Sequence, residues 1–130
     1  MSVTVSVNVA PGELIDKITI LEIKLERIED KTKLANVRLE YDTLNAARDE
    51  AIPKSEELDQ LSAELKKINE ALWEIEDDIR DCERAKDFGD GFIKLARAVY
   101  VTNDKRMAVK RQINDLLGSA LVEEKSYAAY

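Results

Sequence analysis

Histidine is missing from this sequence altogether, and cysteine occurs once, at Cys82. The first absence removes the usual general base and the commonest metal ligand together. The second leaves no partner for an intramolecular disulfide, which points to a reducing cytoplasm. Only four Gly and two Pro interrupt 130 residues, so long helices are favoured over turn-rich β structure. No apolar run is long enough to span a bilayer. The opening "MSVTVSVNVAPG" has neither the basic start nor the continuous apolar stretch of a signal peptide. Basic residues are outnumbered, and the formal net charge of −7 argues against nucleic acid, whose phosphates demand a basic face. There is no glycine-rich phosphate loop, no Ser/His/Asp set and no Cys/His cluster, so no residue is assigned a catalytic role.

What the chain does have is charge and periodicity, with 36% charged and 45% apolar residues, a mix that suits amphipathic helices. The length fits one domain over residues 1–130. Val3, Val5, Val7 and Val9 alternate with Thr4, Ser6 and Asn8, and period two with β-branched residues predicts a strand within an arm over 1–10. Helical spacing then takes over. Leu14, Ile18, Leu21, Leu25 and Ile28 form one stripe behind Pro11 and Gly12, with Glu13 and Asp16 suited to the positive end of the helix dipole. A second stripe restarts at Leu34, Val37, Tyr41 and Leu44 with Asp30 as its N-cap, which places a break near 30–33, although one long bent helix over 12–52 also fits. Pro53 ends that segment and Ser55 caps the next. Leu58, Leu61, Leu65, Ile68, Leu72, Ile75, Ile79 and Cys82 then run unbroken at coiled-coil-like three-four spacing. "DFGDG" turns the chain into a last long helix from about 91 to 117, with Gly118 closing it and a tail over 119–130. The expected fold is all-α: an antiparallel bundle or long helical hairpin, with 56–86 against 91–117 and one short N-terminal β-strand.

The stripes are not cleanly apolar. "VYVTNDKRMAVKRQIN" sets Asn103, Arg106, Lys110 and Asn114 where apolar residues belong, and Arg38, Asn45 and Arg48 fall on the stripe of Leu34 and Tyr41. Glu76 and Glu83 do the same in the preceding helix. Folding the hairpin about Gly89 sets Glu76 near Asn103 and within ion-pair reach of Arg106, and sets Asn69 near Lys110. Four cations (Arg38, Arg48, Arg106, Lys110) then face two anions. Unpaired charge is costly to bury, so the excess must meet carboxylates, solvent or an anion. Three sources fit: a register-fixing layer of ion pairs and amides, Glu123 and Glu124 folding back from the tail, or a small phosphorylated or carboxylated ligand gripped by the arginines. The ligand set under that last reading is Arg38, Arg48, Glu76, Asn103, Arg106, Lys110 and Asn114.

A second cluster is "WEIEDDIRDCE", where Glu74 and Asp77 stand one turn apart, the spacing with which helical Mg²⁺-dependent enzymes hold their metal. Both point away from the Leu/Ile stripe, as a solvated face would, so they are weak metal candidates and no cofactor is expected unless Mg²⁺ serves the ligand-handling alternative.

"GELIDKITILEIKLERI", "KLANVRLEY", "FIKLARAVYVTNDKR" and "EEKSY" resemble a family of small bacterial proteins of unknown function, from about Pro11 to Tyr127. The resemblance implies a soluble helical protein and brings no activity, cofactor or catalytic residue. The favoured reading is a non-enzymatic, self-associating interaction or scaffold module, a homodimer that takes a second copy or a partner helix. Its dimer contacts would be the lone strand, which has no partner in its own chain, and Ile20 and Ile23, which lie off the first helix's stripe. The alternative is a binding protein or metal-dependent enzyme for a small anionic ligand, built on the polar interior.

Overall fold

A computed structural model describes residues 2–130, and Met1 lies outside them. Four helices follow one another: α1 (Pro11–Arg27), α2 (Lys31–Ala51), α3 (Glu56–Ala85) and α4 (Asp90–Leu116). Their ends are set by local chemistry. Pro11 occupies the first turn of α1, where its missing N–H costs nothing. Asp30 caps α2 by accepting a hydrogen bond from the Lys33 N–H at 2.9 Å, so residues 12–52 form two helices with a true break. The Ser55 hydroxyl accepts the Leu58 N–H at 3.1 Å, with Glu56, Glu57 and Asp59 in the first turn of α3. Lys86 takes a left-handed conformation (φ 55°), and its N–H closes α3 on the carbonyls of Cys82 and Glu83. Gly118 (φ 63°) follows α4 in the conformation that glycine adopts without strain.

α3 and α4 form the predicted antiparallel hairpin, and α1 lies across it, touching α2 on its other side. α2 packs against α1 alone. The core of Ile15, Leu58, Leu65, Val109 and Ile113, with Ile52, Leu61, Ile68 and Leu117 beside it, sits where α1 crosses the start of α3 and the end of α4. α1 is therefore the central helix and is buried on two faces. Leu14 lies beside Ala47 and Ala51 of α2, and Ile18 and Leu21 continue that face by helical spacing. Gly12, Ile15 and Asp16 turn to α3 and α4. No helix among the described residues is long and apolar enough to cross a membrane.

Two expectations are corrected. Residues 2–10 carry no strand, nor does any other described residue. Val3, Val5 and Val7 are 70–80% exposed, and without a second strand the alternation has nothing to pair with. Ile23 is not a free surface residue. It is 1% exposed, packed in a groove with Leu72 and Trp73 of α3, and Ile20 is half-buried in the same groove. A helix covered on both sides has little spare face for them to occupy.

Candidate functional site

The seam between α1 and α4 holds the polar interior. α4 offers Asn103, Arg106, Lys110 and Asn114 at steps of three and four, a single face of the helix. α1 answers with Gly12, Glu13, Asp16 and Thr19 on its own matching face. At the bottom of the seam the Gly12 N–H donates to Asn114 Oδ1 at 2.7 Å. Ala10, at the N-cap position of α1, makes no side-chain cap, so Asn114 satisfies one of the helix's orphan donors from another element.

One turn higher, Lys110 is almost wholly enclosed, and its ammonium meets Glu13 at 2.7 Å and Glu123 of the tail at 2.9 Å. Burial pulls the Lys110 pKa down, but the hydrogen bonds to Glu13 and Glu123 outweigh it and hold the group above its ordinary value. The sign of the linked effect follows. The ion-paired ammonium adds stability that is complete below the unfolded value near 10.5 and disappears as the pH rises through the higher folded value. Urea midpoints compared between about pH 9 and about pH 12 should fall further in the native protein than in Lys110→Gln. An equal fall in both proteins would clear Lys110 as the source.

Above Lys110 stands the most enclosed charge in the chain. Asp16 is 1% exposed. Arg106 grips it side-on, Nε to Oδ1 at 2.9 Å and a terminal nitrogen to Oδ2 at 2.5 Å. Asn69 of α3 donates from one amide nitrogen to Asp16 Oδ1 and to Thr19 Oγ1, each at 2.9 Å, and Thr19 donates to the Asp16 carbonyl at 2.8 Å. Three helices are thus tied at one carboxylate. Asp16, through that hydrogen bond and its charge, raises the Arg106 pKa further, so the guanidinium keeps its charge at any physiological pH.

The carboxylate partner of Arg106 is therefore Asp16, and the expected Glu76–Arg106 pair does not form. Glu76 bonds Arg80 one turn along its own helix at 3.1 Å, with both side chains more than half exposed. The hairpin register does bring Glu76, Asn103 and Arg106 to one groove of about 500 Å³, walled by Ile20, Ile23, Leu72, Trp73 and Val99. α1 lies across that groove and delivers a closer carboxylate. Asn69 likewise goes to Asp16 and Thr19 instead of Lys110. Arg38 and Arg48 are not part of this seam: they sit on α2, beside Asp42 at 4.0 Å and Asp49 at 3.7 Å. Glu83 is at the far end of α3, 4.0 Å from Lys86. The apparent excess of cations disappears once Arg38 and Arg48 leave and Glu13, Asp16 and Glu123 join. Glu74 is paired with Arg27, and Asp77 lines the groove; among the described residues no three His, Cys, Asp or Glu side chains are placed to hold a metal.

Glu13, Asp16 and Thr19 complete the seam although no polar interruption of the first stripe singles them out, and the sequence carries a signal for them. Leu14, Ile15, Ile18, Ile20, Leu21, Ile23 and Leu25 are too many apolar residues for one stripe. A helix so loaded is covered on more than one side, and the polar residues between its stripes are then buried with it.

Fold and site together define an α-helical protein whose central helix is pinned by a buried polar seam. The model of a family of unknown function, DUF6165, matches residues 5–130, and the chain belongs to that family. No curated protein and no solved structure matches it.

Proposed function

We propose that this protein is a self-associating helical interaction module, and that the free half of the α3–α4 hairpin is the surface on which a second copy docks. The observation that carries the reading is that no residue from 70 to 108 is buried. Beyond the end of α1 that stretch includes Ile75, Ile79, Cys82, Phe92 and Leu95, all only partly covered in a two-helix hairpin, while Phe88 and Ile93 are about 50% exposed. α1 ends level with Glu74, through the Arg27 pair, so the rest of the hairpin has no third helix to lie against.

The surface area supports the same reading. The chain exposes 9323 Å². A compact monomer of its mass exposes about 6,900 Å². The excess is shared among the arm, the tail and the bare hairpin, and an obligate homodimer buries roughly 1,000–2,500 Å² per partner. Two hairpins packed antiparallel about a two-fold axis would make a four-helix bundle, each supplying what the other lacks.

Light scattering at micromolar concentration should give twice 14.7 kDa. Ile93→Glu, which touches an exposed site and spares the core, should move that mass toward the monomer while the helical circular dichroism is kept. A mass of 14.7 kDa for the unaltered protein at that concentration would end the proposal.

A further inference from the structure

The tail over 119–130 has no regular structure, yet it is tied along α4 at several points. Glu123 reaches the enclosed Lys110, and Arg111 donates to the Glu123 carbonyl at 3.2 Å and to the Glu124 carboxylate at 3.1 Å. At its far end Lys125 and Tyr130 both hold Asp104, and the Tyr130 ring packs edge-on against Tyr100 with centroids 5.1 Å apart. Between this segment and α4 lies an open groove of about 670 Å³, lined by Arg106 and Lys110 on one side and by Glu123 and Glu124 of the tail on the other, with Arg111 outside it. That is the size of a small-molecule site.

Each of the two cations nearest the tail uses it differently. Lys110 has Glu13 as a partner inside the bundle, and Glu123 is its second carboxylate. Arg111 has only tail oxygens for partners. Two neighbouring tail carboxylates on two neighbouring cations mimic a compact dianion, and apart from the Glu123 pair with the enclosed Lys110 the tail's ion pairs lie between exposed or partly exposed side chains, where such bonds are weak. Glu123 touches both cations, its carboxylate on Lys110 and its carbonyl on Arg111, so the ammonium and the guanidinium stand within reach of one compact anion such as a phosphoryl group.

We propose that residues 119–130 are a displaceable strap over an anion site, in which Glu123 and Glu124 occupy Lys110 and Arg111 in place of a phosphate-bearing small molecule. The site is distinct from the hairpin surface and does not depend on self-association. With the strap closed, apparent affinity falls by the fraction of chains that are open, so loosening the strap tightens binding.

The probe is pyrophosphate, titrated by calorimetry into the full chain at constant ionic strength. Glu123→Gln with Glu124→Gln should bind it about tenfold more tightly than the native protein, as should be seen when a competing intramolecular ligand is removed. Adding Lys110→Gln to that variant should abolish the gain. Lys125→Gln separates strap release from bulk charge: it removes a positive charge, which alone would weaken an anion, yet it takes away one of the two tail groups that hold Asp104, loosens the strap and should tighten binding. The proposal fails if affinity is the same in all these proteins, if the Glu123/Glu124 gain survives the loss of Lys110, or if Lys125→Gln binds more weakly than native. Should the double Gln variant not fold, Lys125→Gln with and without Lys110→Gln decides the matter alone.

Discussion

Replacing Asp16 by Ala should cost about 3–5 kcal/mol, among the largest losses any single side chain of this protein can cause. The reason is what remains, not what is removed. Asp16 is enclosed on all sides, and Arg106, whose guanidinium it receives side-on, is itself two-thirds covered. Without the carboxylate that guanidinium is a poorly hydrated charge, and the Asn69 amide loses one of its two acceptors. In a chain of this length the loss lowers Tm by roughly 10–20 °C. The sharper measurement is a double-mutant cycle. Asp16→Leu together with Arg106→Met removes both charges and fills a similar volume, so it should recover most of the stability that Asp16→Ala loses. If Asp16→Ala unfolds at the native temperature, or if the double variant is no better than the sum of its singles, the ion pair is not what holds the seam. An Asp16→Ala protein too unstable to purify would still leave Asp16→Asn, which keeps an acceptor for Asn69 and should lie between the two.

The buried position of Asp16 explains why the fold was more legible than the site. The stripe from Leu58 to Cys82, the caps at Asp30 and Ser55 and the turn at "DFGDG" are local signals, each decided by residues within a few positions of one another, and the helices stand where those signals put them. The partner of Arg106 is a non-local fact. Asn103, Arg106, Lys110 and Asn114 announced a polar face in a helix, but which carboxylates meet it depends on a third helix laid across the hairpin, a placement no spacing encodes. Asp16 is also easily read, with Glu13, as an acid at the positive end of the helix dipole, and that local reason hid its tertiary one, although only Glu13 stands in the first turn of α1. The strand at 3–9 failed in the opposite direction: the local pattern is β, but strand formation needs a partner that the chain does not contain. Ile20 and Ile23 failed because a helical wheel with one apolar stripe has no place for a helix buried on two faces.

The seam also gives the central helix its register. Gly12, Glu13 and Asp16 meet Asn114, Lys110 and Arg106 in reverse order, so α1 cannot slide along α4 without breaking two ion pairs and a cap together. Apolar contacts between Ile15 and Val109 or Ile113 would tolerate a small slip; directional charge pairs do not. A helix fixed this firmly holds α2 on one side while the far half of the hairpin projects beyond it on the other.

Gly12→Ala should destabilise the protein by about 1–3 kcal/mol, against the direction that intrinsic propensity predicts. In an open helix Ala is better than Gly by up to about 1 kcal/mol. At Gly12 the added methyl has no room: it would stand 2.5 Å from the backbone carbonyl oxygen of Lys110 and 2.8 Å from Asn114 Oδ1. The nearer atom belongs to the backbone of α4, so no rotamer change relieves it, and Asn114→Ala in the same protein should not rescue the loss. α1 must instead move off α4, which stretches the Gly12–Asn114 and Lys110–Glu13 bonds at the same time. Gly91→Ala is the internal control, since a methyl there, in the first turn of α4, meets nothing within 4 Å. The same chemical change should therefore give opposite signs at the two positions in urea unfolding: a lower midpoint at 12 and an unchanged or higher one at 91. A Gly12→Ala protein as stable as the native one would mean that α1 and α4 do not approach this closely, and the seam that Asp16, Lys110 and Asn114 define would lose its tightest contact.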